Sequence, residues 1–286
     1  MRFIRIASVV ALSLLVAIAI SLVIRPELRA ALLAEIYDPV TLPQLESDAR
    51  IHHEPQARIC AERVAAILPG AVERIARAHG RPFAKAPIVG VYDSFATYAR
   101  ANGLGAPGIA GVSRAGRAIL SPTLCHDERE RLEGVLTHEL SHVHFSGWRA
   151  RNAPRPPTWF TEGLAVMVSE GGGAEGVSDA DAAQAIRDGY AVILDGRSWL
   201  DFAALGFEKA PVTPSGFDAY SWRQRLAFRQ ASVFLSWLRE KDPARFSALL
   251  RDLERGETFD GAFRAAFGAA PAERWRDFTA GLHASR

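Results

Sequence analysis

Residues 135–145 read VLTHELSHVHF, three histidines and a glutamate inside an otherwise apolar stretch. His138 and His142 are four positions apart. On a helix this spacing puts both imidazoles on one face with their roots about 6 Å apart, so that both reach one ion. Glu139, one residue along, lies on the flank of that face, where a carboxylate can touch a water on the metal without becoming a ligand. The His-Glu-x-x-His spacing is therefore a geometric device with a chemistry attached. It is also short, and chance alone produces it in roughly one chain per hundred of this size. A buried helix with hydrogen-bonded histidines is the plain alternative.

A catalytic zinc site takes three protein ligands and keeps one position for water. The segment WFTEGLA, residues 159–165, opens a further helix with Glu162 set among Trp159, Phe160 and Leu164. The nineteen residues between His142 and Glu162 suffice to finish one helix, turn through a proline-rich loop and return alongside. Burying a carboxylate in such surroundings is costly, and metal coordination offsets that cost. A carboxylate favoured by the helix N-terminus needs no metal and is the competing explanation. His144, six positions after His138, falls about 240° around the helix and faces away, so it reads as structural. His126 and His283 have no evident partner. Arg149, Arg151 and Arg155 lie in the loop between the two motif helices, placed either to meet an acidic substrate group or, more commonly for such loops, simply to be solvated.

Taken together, THELSHVH and WFTEGLA resemble the gluzincins, the thermolysin-like zinc metallopeptidases of the peptidase MA clan, and within them a bacterial membrane-linked branch. The resemblance covers residues 51–286. It implies a zincin-like fold, zinc bound by His138, His142 and Glu162, and Glu139 as general base. The metzincin alternative requires Gly and His three and six residues after the second histidine, where this chain has Phe145 and Trp148. Two departures from the gluzincin pattern stand out. Phe228 takes the place of a tyrosine that often opens the Tyr-x-Gln-x pattern of the long helix beyond, which leaves Tyr220, eight residues earlier, as a weak substitute for oxyanion stabilisation. Val166 stands where many relatives carry an acid orienting a ligand histidine, so that partner is unassigned.

The elements that must position these residues read as α+β: a small sheet with an active-site helix, and a mainly helical C-terminal part. Apolar positions at helical spacing run from Glu54 to Leu68, Pro69-Gly70 interrupts, and a second helix continues to Gly80. KAPIVGVY (85–92) reads as a buried strand, with Asp93 or Ser94 capping a short helix after it. Residues 108–122 fit two strands joined by a turn near Ala115-Gly116. Helices are expected over His126–Phe145, Trp159–Glu170, Ser221–Lys241, Ala244–Glu254, Phe259–Phe267 and Ala272–Leu282, with 171–220 poorly patterned. There is no internal repeat.

Ahead of these elements, residues 6–24 form a run of nineteen uncharged, mostly apolar residues. As a helix it spans roughly 28 Å, close to a bilayer core. Arg25-Pro26-Glu27 is a poor cleavage site, so an uncleaved anchor (1–25) is favoured over a signal peptide. Arg2 and Arg5 favour a cytoplasmic amino terminus, with the body in the periplasm or extracellular space. Residues 26–50 read as a juxtamembrane connector and 51–286 as the metallopeptidase domain. With 34 Lys+Arg against 32 Asp+Glu, net +2 and scattered, there is no case for nucleic-acid binding. The only two cysteines, Cys60 and Cys125, suit one disulfide in an exported domain, although spacing does not establish the pairing. A structural zinc site from Cys125-His126 with His52-His53 is the lesser alternative, lacking a closely spaced cysteine pair. The expectation is zinc-dependent hydrolysis of a peptide or protein substrate; the alternative is a peptidase-like binding protein that keeps the zinc site.

Overall fold

In the computed structural model, residues 21, 23–194, 206–207 and 209–284 are described. The chain is α+β, with a five-stranded mixed sheet in the order β1-β2-β3-β5-β4. Strands β1 (Gln44–Leu45) and β2 (Asp48–His53) are antiparallel; β2 runs parallel to β3 (Ile88–Val91) and β3 to β5 (Arg117–Leu120). Strand β4 (Gly111–Arg114) pairs antiparallel with β5, Val112 opposite Ile119, and forms an outer edge. The turn between them places Ala115 and Gly116 at positive φ, as the hairpin reading expected.

Residues 26–50 are not a bare connector. Helix α1 (Pro26–Ile36) packs on α3 (Phe95–Ala101), and Asp38 accepts from Arg117 Nε at 2.8 Å. Strand β1 and the start of β2 belong to the sheet. The pattern was hard to read because β1 is two residues long and β2, DARIHH, carries polar groups inward. His52 and His53 are buried there, their Nδ1 atoms meeting the Leu42 and Glu54 carbonyls. The apolar run 6–24 lies, but for Ser21, Val23 and Ile24, outside the described residues; among those described, no helix is long and apolar enough to cross a membrane.

Helix α2 (Arg58–His79) is a second departure: it continues through Pro69 to a left-handed Gly80. Ala61, Val64, Leu68, Ala71 and Ile75 form one uninterrupted buried stripe, while Pro69 is exposed. The lost hydrogen bond thus falls on the hydrated side, and burial of the stripe outweighs the proline penalty. Cys60 on α2 is joined to Cys125 on the short α4 (Thr123–His126) by a disulfide, which removes both cysteines from any zinc site.

Helix α5 (Leu132–Trp148) lies against α2, β4 and β5 and is followed by α6 (Thr158–Val168). Helix α7 (Asp179–Arg187), inside the segment that showed little pattern, begins with a capping box of Ser178 and Asp181. The tail comprises α8 (Ala219–Lys241), α9 (Pro243–Arg255), α10 (Phe259–Phe267) and α11 (Pro271–Ala284). Helices α6 and α8 cross closely because Gly163 has no side chain: a Cβ there would sit 2.8 Å from that of Ala231. Trp159, Phe160, Phe234 and Phe259 fill the space under this crossing with edge-on and tilted ring contacts.

Candidate metal centre

The loop from α5 to α6 is fixed at both ends. Trp148 donates its indole N–H to the Pro82 carbonyl, Ala150 N–H bonds Glu254 O, and Arg81 pairs with the buried Glu254 at 2.8 Å. Pro157 then supplies extended backbone at the N-cap, and Trp159 and Phe160 anchor the start of α6 in the core. Glu162 is carried back beside α5 by this route.

His138, His142 and Glu162 come together, with one ligand atom from each lying within 4.8 Å of the others. His138 Nε2 is 3.2 Å and His142 Nε2 3.5 Å from Glu162 Oε2, and the two Nε2 atoms are 3.1 Å apart. A tetrahedral ion with bonds of about 2.0–2.2 Å separates its donors by about 3.3–3.6 Å, so the cluster is close to the right size. Its protonation pattern also fits. His138 Nδ1–H donates to the Gly172 carbonyl at 2.9 Å, which in the neutral ring leaves the Nε2 lone pair facing the carboxylate oxygen and the second imidazole. Either a bound cation or a proton on one imidazole would reconcile these converging lone pairs. Burial alone would lower the His138 pKa, but the Glu162 hydrogen bond and the charges of Glu139 and Glu162 outweigh it and raise the value to about 9. Glu162 is disfavoured as an anion by burial, yet the His142 charge and hydrogen bonds from both imidazoles hold its pKa below the usual range. The site demands positive charge, and these three residues could hold a metal ion.

Glu139 is buried beside the cluster. Burial raises its pKa, opposed by His138 and His142 and by the Ser113 backbone N–H of β4. A buried carboxylate with a raised pKa suits a group that must accept and release a proton. Strand β4 and Glu139 line one cavity of about 1340 Å³ together with His138, His142 and Glu162.

The orienting group that the sequence left unassigned is a backbone carbonyl. After α6 the chain turns through Gly171–Gly173 and lies directly on α5: a Cβ on Gly172 would meet Gly134 O at 2.1 Å, and one on Gly173 would meet His138 Nδ1 at 2.8 Å. Glu175 secures this turn, accepting from Gly173 N–H at 3.0 Å and pairing with Arg131 at 3.1 Å. The close approach of this glycine run to His138 has no signature in the local sequence.

His144 faces away, as its helical position implied: its Nε2 lies 3.0 and 3.1 Å from the Arg81 and Pro82 carbonyls, and its ring lies against that of His79, centroids 4.3 Å apart and planes tilted by 37°. His126 has a partner after all, Asp93 at 3.1 Å. Phe228 is buried and lines the cavity, whereas Tyr220 lines it from an exposed position at the start of α8. Gln230, two residues beyond Phe228, is fully buried; it accepts from Val192 N–H and donates to Tyr190 O, tying that segment to α8. Comparison of the chain with protein-family models, with curated proteins and with solved structures gives no match in any of the three.

Proposed function

We propose that the chain is a zinc-dependent peptidase of gluzincin type, with His138, His142 and Glu162 as ligands and Glu139 as general base. The observation that carries this reading is the convergence of two imidazoles and a carboxylate at metal-ligand spacing beside a buried glutamate, all on one large cavity. The donor set, two nitrogens and one oxygen, suits zinc with a position left for solvent. Zinc held by His138, His142 and Glu162 would supply a Lewis acid for the scissile carbonyl and would activate a water. Glu139 accepts the water proton and passes it to the leaving amine; its burial keeps that proton from bulk solvent. The substrate peptide lies along the outer edge of β4 as an added strand, which presents its backbone to Glu139. Tyr220, an exposed residue lining the same cavity, is the weak candidate for stabilising the carbonyl oxygen. The apolar run 6–24 and the Cys60–Cys125 disulfide support a membrane-anchored protein whose body lies outside the cytoplasm.

One observation favours a second reading, a peptide-binding protein that retains the metal site without turnover: Phe228, which stands where the resembled pattern often has tyrosine, lines the cavity and has no hydroxyl. Two measurements separate the readings. Purified protein should contain about one zinc per chain, and His142→Ala should lose it. Zinc-loaded protein should cleave a diverse peptide mixture in a chelator-sensitive way, and Glu139→Gln should lower turnover by at least about 10²-fold with zinc retained. Absence of stoichiometric metal removes both readings; metal without cleavage leaves the binding protein.

A further inference from the structure

The cavity contains five arginines, and three of them are committed elsewhere. Arg114 pairs with Glu35 and Asp38, Arg131 with Glu128 and Glu175, and Arg225 donates to the Glu175 carbonyl. Arg149 and Arg155, which bracket the loop between α5 and α6, are different. Arg149 is half-buried and uses Nη2 to hold the Ala153 and Pro154 carbonyls, while its Nε is buried without a partner. Arg155 is exposed and has no hydrogen-bond or ion-pair partner among the described residues. Glu128 and Asp260 also line the cavity, but neither forms an ion pair with either guanidinium.

Two cations thus line one cavity, and among the described residues no carboxylate forms an ion pair with either. Burial, and then the Arg155 charge, disfavour the charged form of Arg149, with no acid opposing them. Placing like charges together this way raises the energy of the empty protein, and an anion entering the cavity relieves it. Arg155 can offer its exposed fork to a carboxylate in a bidentate manner, and Arg149, whose Nη2 is engaged and whose Nε is buried, adds positive charge beside it.

We infer that Arg149 and Arg155 form a substrate-recognition site for a carboxylate, so that the cavity selects peptides bearing an acidic side chain or a free carboxyl terminus close to the cleavage point. This inference deepens the peptidase reading and uses the same cavity.

Binding provides a test independent of turnover. Full-length Glu139→Gln protein is titrated calorimetrically with four degenerate hexapeptide pools: one fixed Glu or one fixed Gln, each with a free or an amidated terminus. The expected result is at least about tenfold tighter binding, about 1.4 kcal/mol, for the acidic member of one pairing, weakening with salt. A Glu-over-Gln difference assigns the site to a side chain, and a free-over-amide difference to the terminus. Arg155→Gln should abolish the advantage while leaving binding of the neutral pool within about twofold, since its side chain makes no hydrogen bond or ion pair with the described residues; Arg149→Gln should do the same provided the loop keeps its fold by circular dichroism and melting. Equal affinities for all four pools, or a preference unchanged in Arg155→Gln, would overturn the inference. Chelator-sensitive cleavage without a charge preference would spare the peptidase reading and remove this site, whereas a charge preference without cleavage would do the reverse.

Discussion

His79 illustrates how a single residue behind helix α5 links pH to stability. It is buried on α2, with Nε2 3.1 Å from the Ser141 hydroxyl and Nδ1 without a partner. Burial lowers its pKa to about 3, assisted by His144, His142 and Arg81. The unfolded chain therefore takes up a proton near pH 6.5 that the folded chain refuses until about pH 3. The stabilisation is complete above pH 6.5 and is lost as pH falls through that window, by up to about 1.4 kcal/mol per pH unit for one group. His144, also held low mainly by burial, acts in the same direction. Denaturant midpoints of metal-free protein should fall between pH 7 and 5, and His79→Gln, which keeps a partner for Ser141, should flatten that slope. A variant slope equal to the parent's would show that the loss originates elsewhere.

Among the elements, the glycine turn after α6 is as important to the site as the helices are. Gly173 has φ +82°, and an added Cβ would lie 2.8 Å from His138 Nδ1, the atom that donates to Gly172 O. If the site binds zinc as proposed, Gly173→Ala should weaken that binding by about 10- to 100-fold, the usual effect of disturbing a ligand's hydrogen-bond partner, with the helical content retained. Competition with a chromogenic chelator measures this directly, and unchanged affinity would show that the turn does not orient the ring. The same turn marks how far the sequence could be read. The spacing of His138, His142 and Glu162 encodes their meeting, because helical period and loop length are local properties. Helices α8 to α11 and the β4–β5 hairpin were legible for the same reason. Strand β1, the passage of α2 through Pro69 and the contact of Gly172 with Gly134 depend on what each segment packs against. No local pattern carries that information: β1 is held by its pairing with β2, and Pro69 is tolerated because it faces solvent.

For the molecule as a whole, the link between Cys60 and Cys125 matters more to folding than to chemistry. It closes a segment of 65 residues that includes β3, α3 and the β4–β5 hairpin, the part of the sheet that presents the cavity edge. Cross-linking a loop of that length restricts the unfolded chain and stabilises the fold by about 4 kcal/mol on the chain-entropy estimate. At a few degrees per kcal/mol for a chain of this size, the double Cys60→Ser, Cys125→Ser variant should melt on the order of 10 °C below the parent in calorimetry of the metal-free forms. Its zinc affinity at 25 °C should match the parent's, because the three ligands lie on α5 and α6, outside the closed segment. If zinc affinity fell together with the melting temperature, the disulfide would be shaping the centre through β4 and Glu139, and the sheet edge and the metal helix would have to be treated as one mechanical unit.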